Sequence, residues 1–184
     1  MKRMTTWAIL LMATLITFAQ TPEQWATLKK DINFFLANDL GRNGYYDQKP
    51  IAELMGVMAE EIGPECVLAA GDVHHFDGVQ SVHDPLWMTN YELVYSHPEL
   101  MIDWLPILGN HEYRGSTQAV LDYSTVSRRW GMPARYYTRV YEEEGTKFCS
   151  PEAGFSVIAA DKNELCLHMV DKTGKVLYTV RRQK

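Results

Sequence analysis

Cys66-Val67-Leu68-Ala69-Ala70-Gly71-Asp72-Val73-His74-His75 is the stretch on which the fold turns. Cys66 to Ala70 is a short apolar run without alternation, as expected of a strand buried on both faces of a parallel sheet. Gly71 closes the run and permits a tight turn, and Asp72 with two imidazoles follows at once. Working backward, Ile51, Leu54, Met55, Met58 and Ile62 recur at helical spacing, and Gly63-Pro64 stops that helix. Before it, Asp31 to Ala37 reads as another strand, running into Asn38-Asp39-Leu40-Gly41-Arg42-Asn43-Gly44. Strand, helix and strand form a βαβ unit, so the two strands are expected to be parallel.

The pattern then repeats toward the C-terminus. Residues 84–104 carry a helix interrupted near Pro98, and Leu105-Pro106-Ile107-Leu108 reads as a third buried strand. That strand runs into Gly109-Asn110-His111-Glu112, and a further helix is expected from Ser116 to Trp130. Beyond Pro133 the character changes. Tyr136 to Tyr141 alternates like a strand, and Phe155–Ala160, Glu164–Val170 and Val176–Arg182 read as an antiparallel meander. Asp161-Lys162-Asn163 and Asp171-Lys172-Thr173-Gly174 supply its turns. Thr21 to Lys30 is a short helix-competent lead-in.

Composition sets the outer limits. With 184 residues, 46% apolar and 22% charged, the chain suits one globular domain, taken as residues 20–184. A net charge of −5 without a Lys/Arg block argues against binding along a nucleic-acid backbone. Three cysteines fit neither a disulfide framework nor a zinc ribbon. Cys66 and Cys166 sit in apolar runs and read as small buried hydrophobes, whereas Cys149 lies in a polar turn as a candidate exposed thiol.

Lys2 and Arg3, the apolar run Trp7 to Phe18 and the small residue Ala19 form a signal-peptide pattern over residues 1–19. The apolar run is too short for a stable membrane span. Its removal would take away two positive charges and carry the net charge from −5 to −7. The expectation is an exported protein, periplasmic or secreted.

Three buried strands each run into a turn bearing metal-capable groups: Asn38-Asp39, Gly71-Asp72 and Gly109-Asn110-His111. In open α/β sheets, ligand sites form beyond the carboxyl ends of the strands, so these residues should converge. Carboxylates, an amide oxygen and imidazoles suit divalent or trivalent cations.

Asn38-Asp39-Leu40-Gly41, Gly71-Asp72-Val73-His74-His75 and Gly109-Asn110-His111-Glu112 resemble the motifs of calcineurin-like metallophosphoesterases, in the purple acid (tartrate-resistant) phosphatase branch. The resemblance covers residues 31–141. It implies an α/β sandwich, here truncated to its βαβαβ half with the C-terminal meander at 147–184. It also implies a dinuclear centre of iron, zinc or manganese that activates water to hydroxide and clamps a phosphate ester. On that resemblance Asp39 is a terminal metal ligand and Asp72 the bridging one. Asn110 binds the second metal, and His111 acts beside the phosphate as proton donor or charge stabiliser.

Two positions depart from the family. His75 stands where the purple branch has its colour-giving Tyr and reads as a replacement ligand, with His74 as its non-ligating neighbour. Asn38 stands where Gly is usual. The family's later Val-x-x-His and Gly-His-x-His motifs, which supply three more imidazoles, are missing. After His111 only His168 remains, in an alternating strand, and it reads as structural. The break lies near residues 142–147, as in an internally deleted phosphatase. The first sheet then loses its partner layer, and the C-terminal strands are expected to cover part of the exposed face.

By ligand count, one weakly bound divalent metal remains. Two functions stay open. One is a phosphatase of impaired activity on phosphate monoesters, whether small molecules or phosphoproteins, with phosphodiesters and nucleotides as the neighbouring class. The other is a non-catalytic binding or structural module with a partial metal site. Tyr45, Tyr46, His83, Tyr113 and Arg114 are candidate substrate contacts.

Overall fold

The computed structural model describes residues 22–135, Tyr137 and residues 154–183. The segments 1–19 and 142–147, Cys149 and the strand expected at Tyr136–Tyr141, Tyr137 excepted, lie outside the described residues.

Six strands form one sheet, β1 (Ile32–Ala37), β2 (Cys66–Ala69), β3 (Asp103–Pro106), β4 (Gly154–Ala160), β5 (Glu164–Asp171) and β6 (Val176–Gln183). Their spatial order is β3-β2-β1-β4-β5-β6. The first three are parallel, with Phe35 opposite Val67 and Val67 opposite Trp104. β4 runs antiparallel beside β1, and β5 and β6 continue outward as a meander. The C-terminal strands therefore lengthen the sheet sideways. They do not lie across its face as expected, because the β1 edge offers β4 a full ladder of backbone partners.

Three helices connect or flank these strands: α1 (Pro22–Ala26), α2 (Gln48–Ile62) and α3 (Thr117–Asp122). α2 buries Ile51, Met55, Met58 and Ile62 and ends at Gly63, whose φ of 63° permits the left-handed cap. Leu54, expected on the same stripe, is only half-buried. The helix-side core joins these residues to Phe35, Val67, Trp87, Trp104, Trp130 and Val157. The opposite face carries a second, smaller apolar group of Phe34, Cys66 and Leu105, with Ile32, Leu68, Tyr137 and Ile158 packed against it. Cys66 and Cys166 are buried and outside any disulfide, as expected.

Two elements differ from the sequence reading. β3 begins at Asp103, two residues early, because Trp104 is fully buried opposite Val67 while Ile107 already faces solvent. An edge strand tolerates the charged Asp103 at its start. The helices expected over 84–104 and 116–130 are shorter. The first region holds a π turn (Met88–Glu92) and a 3-10 turn (Pro98–Leu100). α3 stops at Asp122 because the following Ser124 and Thr125 hydroxyls donate to the Leu121 and Asp122 carbonyls.

Candidate metal and phosphate site

The site forms where the chain leaves β1, β2 and β3. Asp39 and Asp72 both adopt left-handed backbone, each with φ of 54°. Such a conformation costs a non-glycine residue about 1 kcal/mol, though Asp tolerates it better than most. The loops are tied together: the Asp39 amide donates to the Gly71 carbonyl, and Gly41 donates to Asp72. At Gly71, φ is 89° and an added Cβ would lie 2.9 Å from the Gly109 backbone. The two glycines thus let the turns after β2 and β3 touch.

Asp72, His75 and His111 each offer a ligand atom within 4.8 Å of the others. The His75 and His111 rings lie 3.9 Å apart. Oδ1 of Asp72 accepts the His111 amide at 2.9 Å. His111 Nδ1 lies 2.6 Å from the Phe76 carbonyl, which can only accept, so the proton sits on Nδ1. In the neutral ring Nε2 then carries a free lone pair. This anchoring of one ring nitrogen on a carbonyl fixes the tautomer and orientation of the ring beside the cluster.

Asp39 joins the group from β1, with Oδ1 3.5 Å from His75 Nε2. Asn38, the unexpected neighbour, donates to the other Asp39 oxygen at 2.6 Å. Asn110 is exposed on the turn after β3, and no described hydrogen bond joins its amide to the cluster. His75 is buried with its Nδ1 lacking a well-formed hydrogen bond. Burial, then the nearby Arg42 and His111, lower its pKa, so the ring stays neutral and able to ligate.

Glu112 is the residue whose role the sequence reading missed. It is 1% exposed. Its carboxylate accepts the backbone N–H groups of Asp72 (2.9 Å), His74 (3.0 Å) and Gly109 (2.8 Å). One side chain therefore clamps the β2 loop to the β3 loop. Burial pushes the Glu112 carboxyl upward, but His74 and the donated amides outweigh it and hold the group below its ordinary value. His74 stands behind the clamp, fully buried, 3.6 Å from Glu112 and edge-on to Trp87. Burial lowers its pKa, the Glu112 contact opposing. The motif Gly109-Asn110-His111-Glu112 contained the signal, since a buried acid beside two glycine turns needs donors.

Phe76, Arg42 and Arg114 border the cluster. Phe76 is exposed and edges against both imidazoles. Arg42 lies over its ring and 3.8 Å from Asp39. Arg114 donates to the Phe76 carbonyl at 3.3 Å. Of the candidate substrate contacts, Arg114 is the one with a described side-chain hydrogen bond into this neighbourhood, and the Tyr45 amide donates to the Arg42 carbonyl at 2.9 Å. Tyr45, Tyr46 and His83 are exposed loop residues, and Tyr113 is exposed on the 3-10 turn Glu112–Arg114.

The model of the calcineurin-like phosphoesterase family matches residues 32–182, most of the chain. The chain belongs to that family. Its curated relatives include purple acid phosphatase 7 of Arabidopsis thaliana, 34% identical over 99 residues. They also include tartrate-resistant acid phosphatase type 5 of Oryctolagus cuniculus, 36% identical over 87 residues. These matches take in 54% and 47% of this chain, but only 30% and 27% of the relatives' length. Among solved structures, one titled GAP50, the anchor in the inner membrane complex of Plasmodium, shares the fold. Its TM-score is 0.70 at 14% identity, covering 83% of this chain and 88% of that one.

The family's dinuclear centre can be tested against the residues present. Asp39, Asp72 and His75 fit one cation, with His111 beside them. A second cation would have Asn110 and a share of Asp72. The remaining histidines are placed elsewhere: His83 is exposed, His97 pairs with Glu60, and His168 meets Thr179 across β5 and β6. His168 thus takes the structural place expected of it. Among the described residues, the donor set fits a single ion and not a pair.

Among the described residues, no helix is long and apolar enough to cross a membrane.

Proposed function

We propose that this chain is an exported, metal-dependent phosphatase that hydrolyses phosphate monoesters at a one-cation site, more slowly than a two-metal enzyme. The observation that carries the reading is the convergence of Asp72, His75 and His111 at the ends of β2 and β3, with Asp39 beside them. A cation held there would neutralise phosphoryl charge and acidify the attacking water. Asp39, Asp72 and His75 would hold it, while Asn110 lies exposed on the turn after β3.

His111 is oriented by its own amide on Asp72 and by Nδ1 on the Phe76 carbonyl. Nε2 is then the only nitrogen able to meet the leaving oxygen, and proton donation from it requires the doubly protonated ring. Glu112 keeps Asp72 and Gly109 in register without touching substrate.

Export rests on the Lys2-Arg3, Trp7–Phe18 and Ala19 pattern, and residues 20–184 then form the single working domain. An internal loss near residues 142–147 accounts for the missing imidazoles and for relatives that match over less than a third of their own length. A second reading, a non-catalytic metal-binding module, is favoured by the absence of those same histidines from the sequence.

Turnover of p-nitrophenyl phosphate by the purified chain, supplied in turn with zinc, manganese and iron, separates the two. The phosphatase reading expects slow, metal-dependent turnover that Asp72→Asn and His111→Ala abolish. Turnover equal in all three proteins would leave the module reading standing.

A further inference from the structure

The chain has two cations of its own at the site's mouth, and the catalytic proposal above gives them no work. Arg42 leaves the loop after β1, and Arg114 leaves the 3-10 turn after β3. They meet around Phe76. Arg42 stands 5.8 Å over its ring, and Arg114 donates to its carbonyl, the same oxygen that anchors His111.

The launch point of Arg42 is built with care. Its backbone N–H donates to Gln48 Oε1 at 2.8 Å, as does that of Gly44 at 2.7 Å. The neighbouring Asn43 amide donates to the buried Asn90, which the π turn supplies. Gln48 in turn donates to the Asn90 carbonyl. Buried amides on α2 and the π turn thus fix a loop whose outward product is one guanidinium. Its present partner, Asp39, is 3.8 Å away and only loosely engaged.

We propose that Arg42 and Arg114 form an oxyanion clamp that holds the phosphoryl group over the one-cation site, supplying the charge a second metal would have supplied. This rests on the phosphatase reading for the site and names the residues that would hold the phosphoryl group. Two guanidiniums and a divalent cation, partly offset by the Asp39 and Asp72 carboxylates, leave a net charge that matches a dianion, so the site should select phosphate monoesters over monoanionic diesters. Guanidinium forks suit tetrahedral oxyanions because two N–H groups meet two oxygens in parallel. The exposed face of Phe76, 57% accessible, forms the side wall on which the ester group rests.

The test is calorimetric titration of orthophosphate, phenyl phosphate and diphenyl phosphate into the full chain, with and without bound manganese. Wild type is compared with Arg42→Gln, Arg114→Gln and both lysine variants, all confirmed folded by melting. Manganese affinity is measured on each protein. The clamp predicts that either glutamine variant weakens orthophosphate and phenyl phosphate by about tenfold or more, with lysine intermediate. Manganese affinity should move less than about threefold, since neither arginine ligates, and diphenyl phosphate should bind poorly to every protein.

Unchanged phosphate affinity in the Arg42→Gln, Arg114→Gln double variant would overturn the clamp, as would equal affinity for the diester. Failure of manganese to bind at all would instead overturn the phosphatase reading. The metal-free titrations would then still decide whether the arginines hold the anion.

Discussion

Glu112→Ala probes the architecture at its most leveraged point. The carboxylate accepts three backbone N–H groups from two different loops and is 1% exposed. Truncation leaves those donors buried without an acceptor, and each such orphan costs about 1–3 kcal/mol. The losses are not additive, because the loops can relax and water can enter the space. A total of about 3–5 kcal/mol is expected, the range seen when a buried charged partner is removed. Against a typical stability of about 5–15 kcal/mol, this takes roughly a fifth or more.

Glu112→Gln keeps one acceptor oxygen but turns an NH2 toward a backbone donor, so about half the loss is expected. Urea unfolding followed by tryptophan fluorescence reads the effect directly, since Trp87 and Trp130 pack beside His74. Metal affinity should fall along with stability, because Asp72 and His75 belong to the clamped β2 loop. A Glu112→Ala chain destabilised by less than about 1 kcal/mol would refute the clamp, because that is the cost of an ordinary exposed hydrogen bond.

Other outcomes follow from the same structure. Gly109→Ala would drive a Cβ into the Asp72 carboxylate and amide, so metal binding measured by calorimetry should be lost even where the chain still folds. His168 is buried and its pKa is lowered, mainly by burial and then by Arg181 and Lys30. An imidazole kept neutral in the fold but free to protonate when unfolded leaves stability intact above the ordinary value of about 6.5, and erodes it as pH falls below that. The urea midpoint should therefore drop between pH 7.5 and 5.5, and His168→Gln should flatten the drop; an unchanged midpoint in wild type would contradict this. Ferric ion bound to the wild-type chain should give no tyrosinate charge-transfer band, whereas His75→Tyr should acquire visible absorbance. A coloured wild type would remove His75 from the site.

Much of the fold was legible because parallel strands announce themselves. Cys66 to Ala69 is apolar without alternation, Ile32 to Ala37 is apolar apart from Asn33, and both form the expected parallel strands. The helix between them was equally plain from Ile51, Met55, Met58 and Ile62. The connections were harder. The tract Tyr123-Ser124-Thr125 has helical spacing around it, but hydroxyls that satisfy nearby carbonyls ended α3 sooner than periodicity suggested. Sheet order was also hidden. That β4 pairs with the β1 edge is a long-range choice between two available edges, and no local residue encodes it.

At the site, Asp39, Asp72, His75 and His111 could be named from the strand-end rule and the motifs together, and all four meet. Glu112, Phe76 and Arg42 could not be assigned in advance. Their roles depend on which backbone atoms and rings lie opposite, and that emerges only when three loops are folded against one another. Asn38 is a milder case: a residue that departs from the family pattern turns out to bond the Asp39 carboxylate.

The central claim is that the donor set holds one cation per chain. Mass-spectrometric metal content after equilibration with excess zinc and desalting, measured on wild type, Asp72→Asn and His75→Ala, tests it most directly. The account predicts one ion per wild-type chain and loss in both variants. Two tightly retained ions per chain, or one ion unaffected by either substitution, would contradict it.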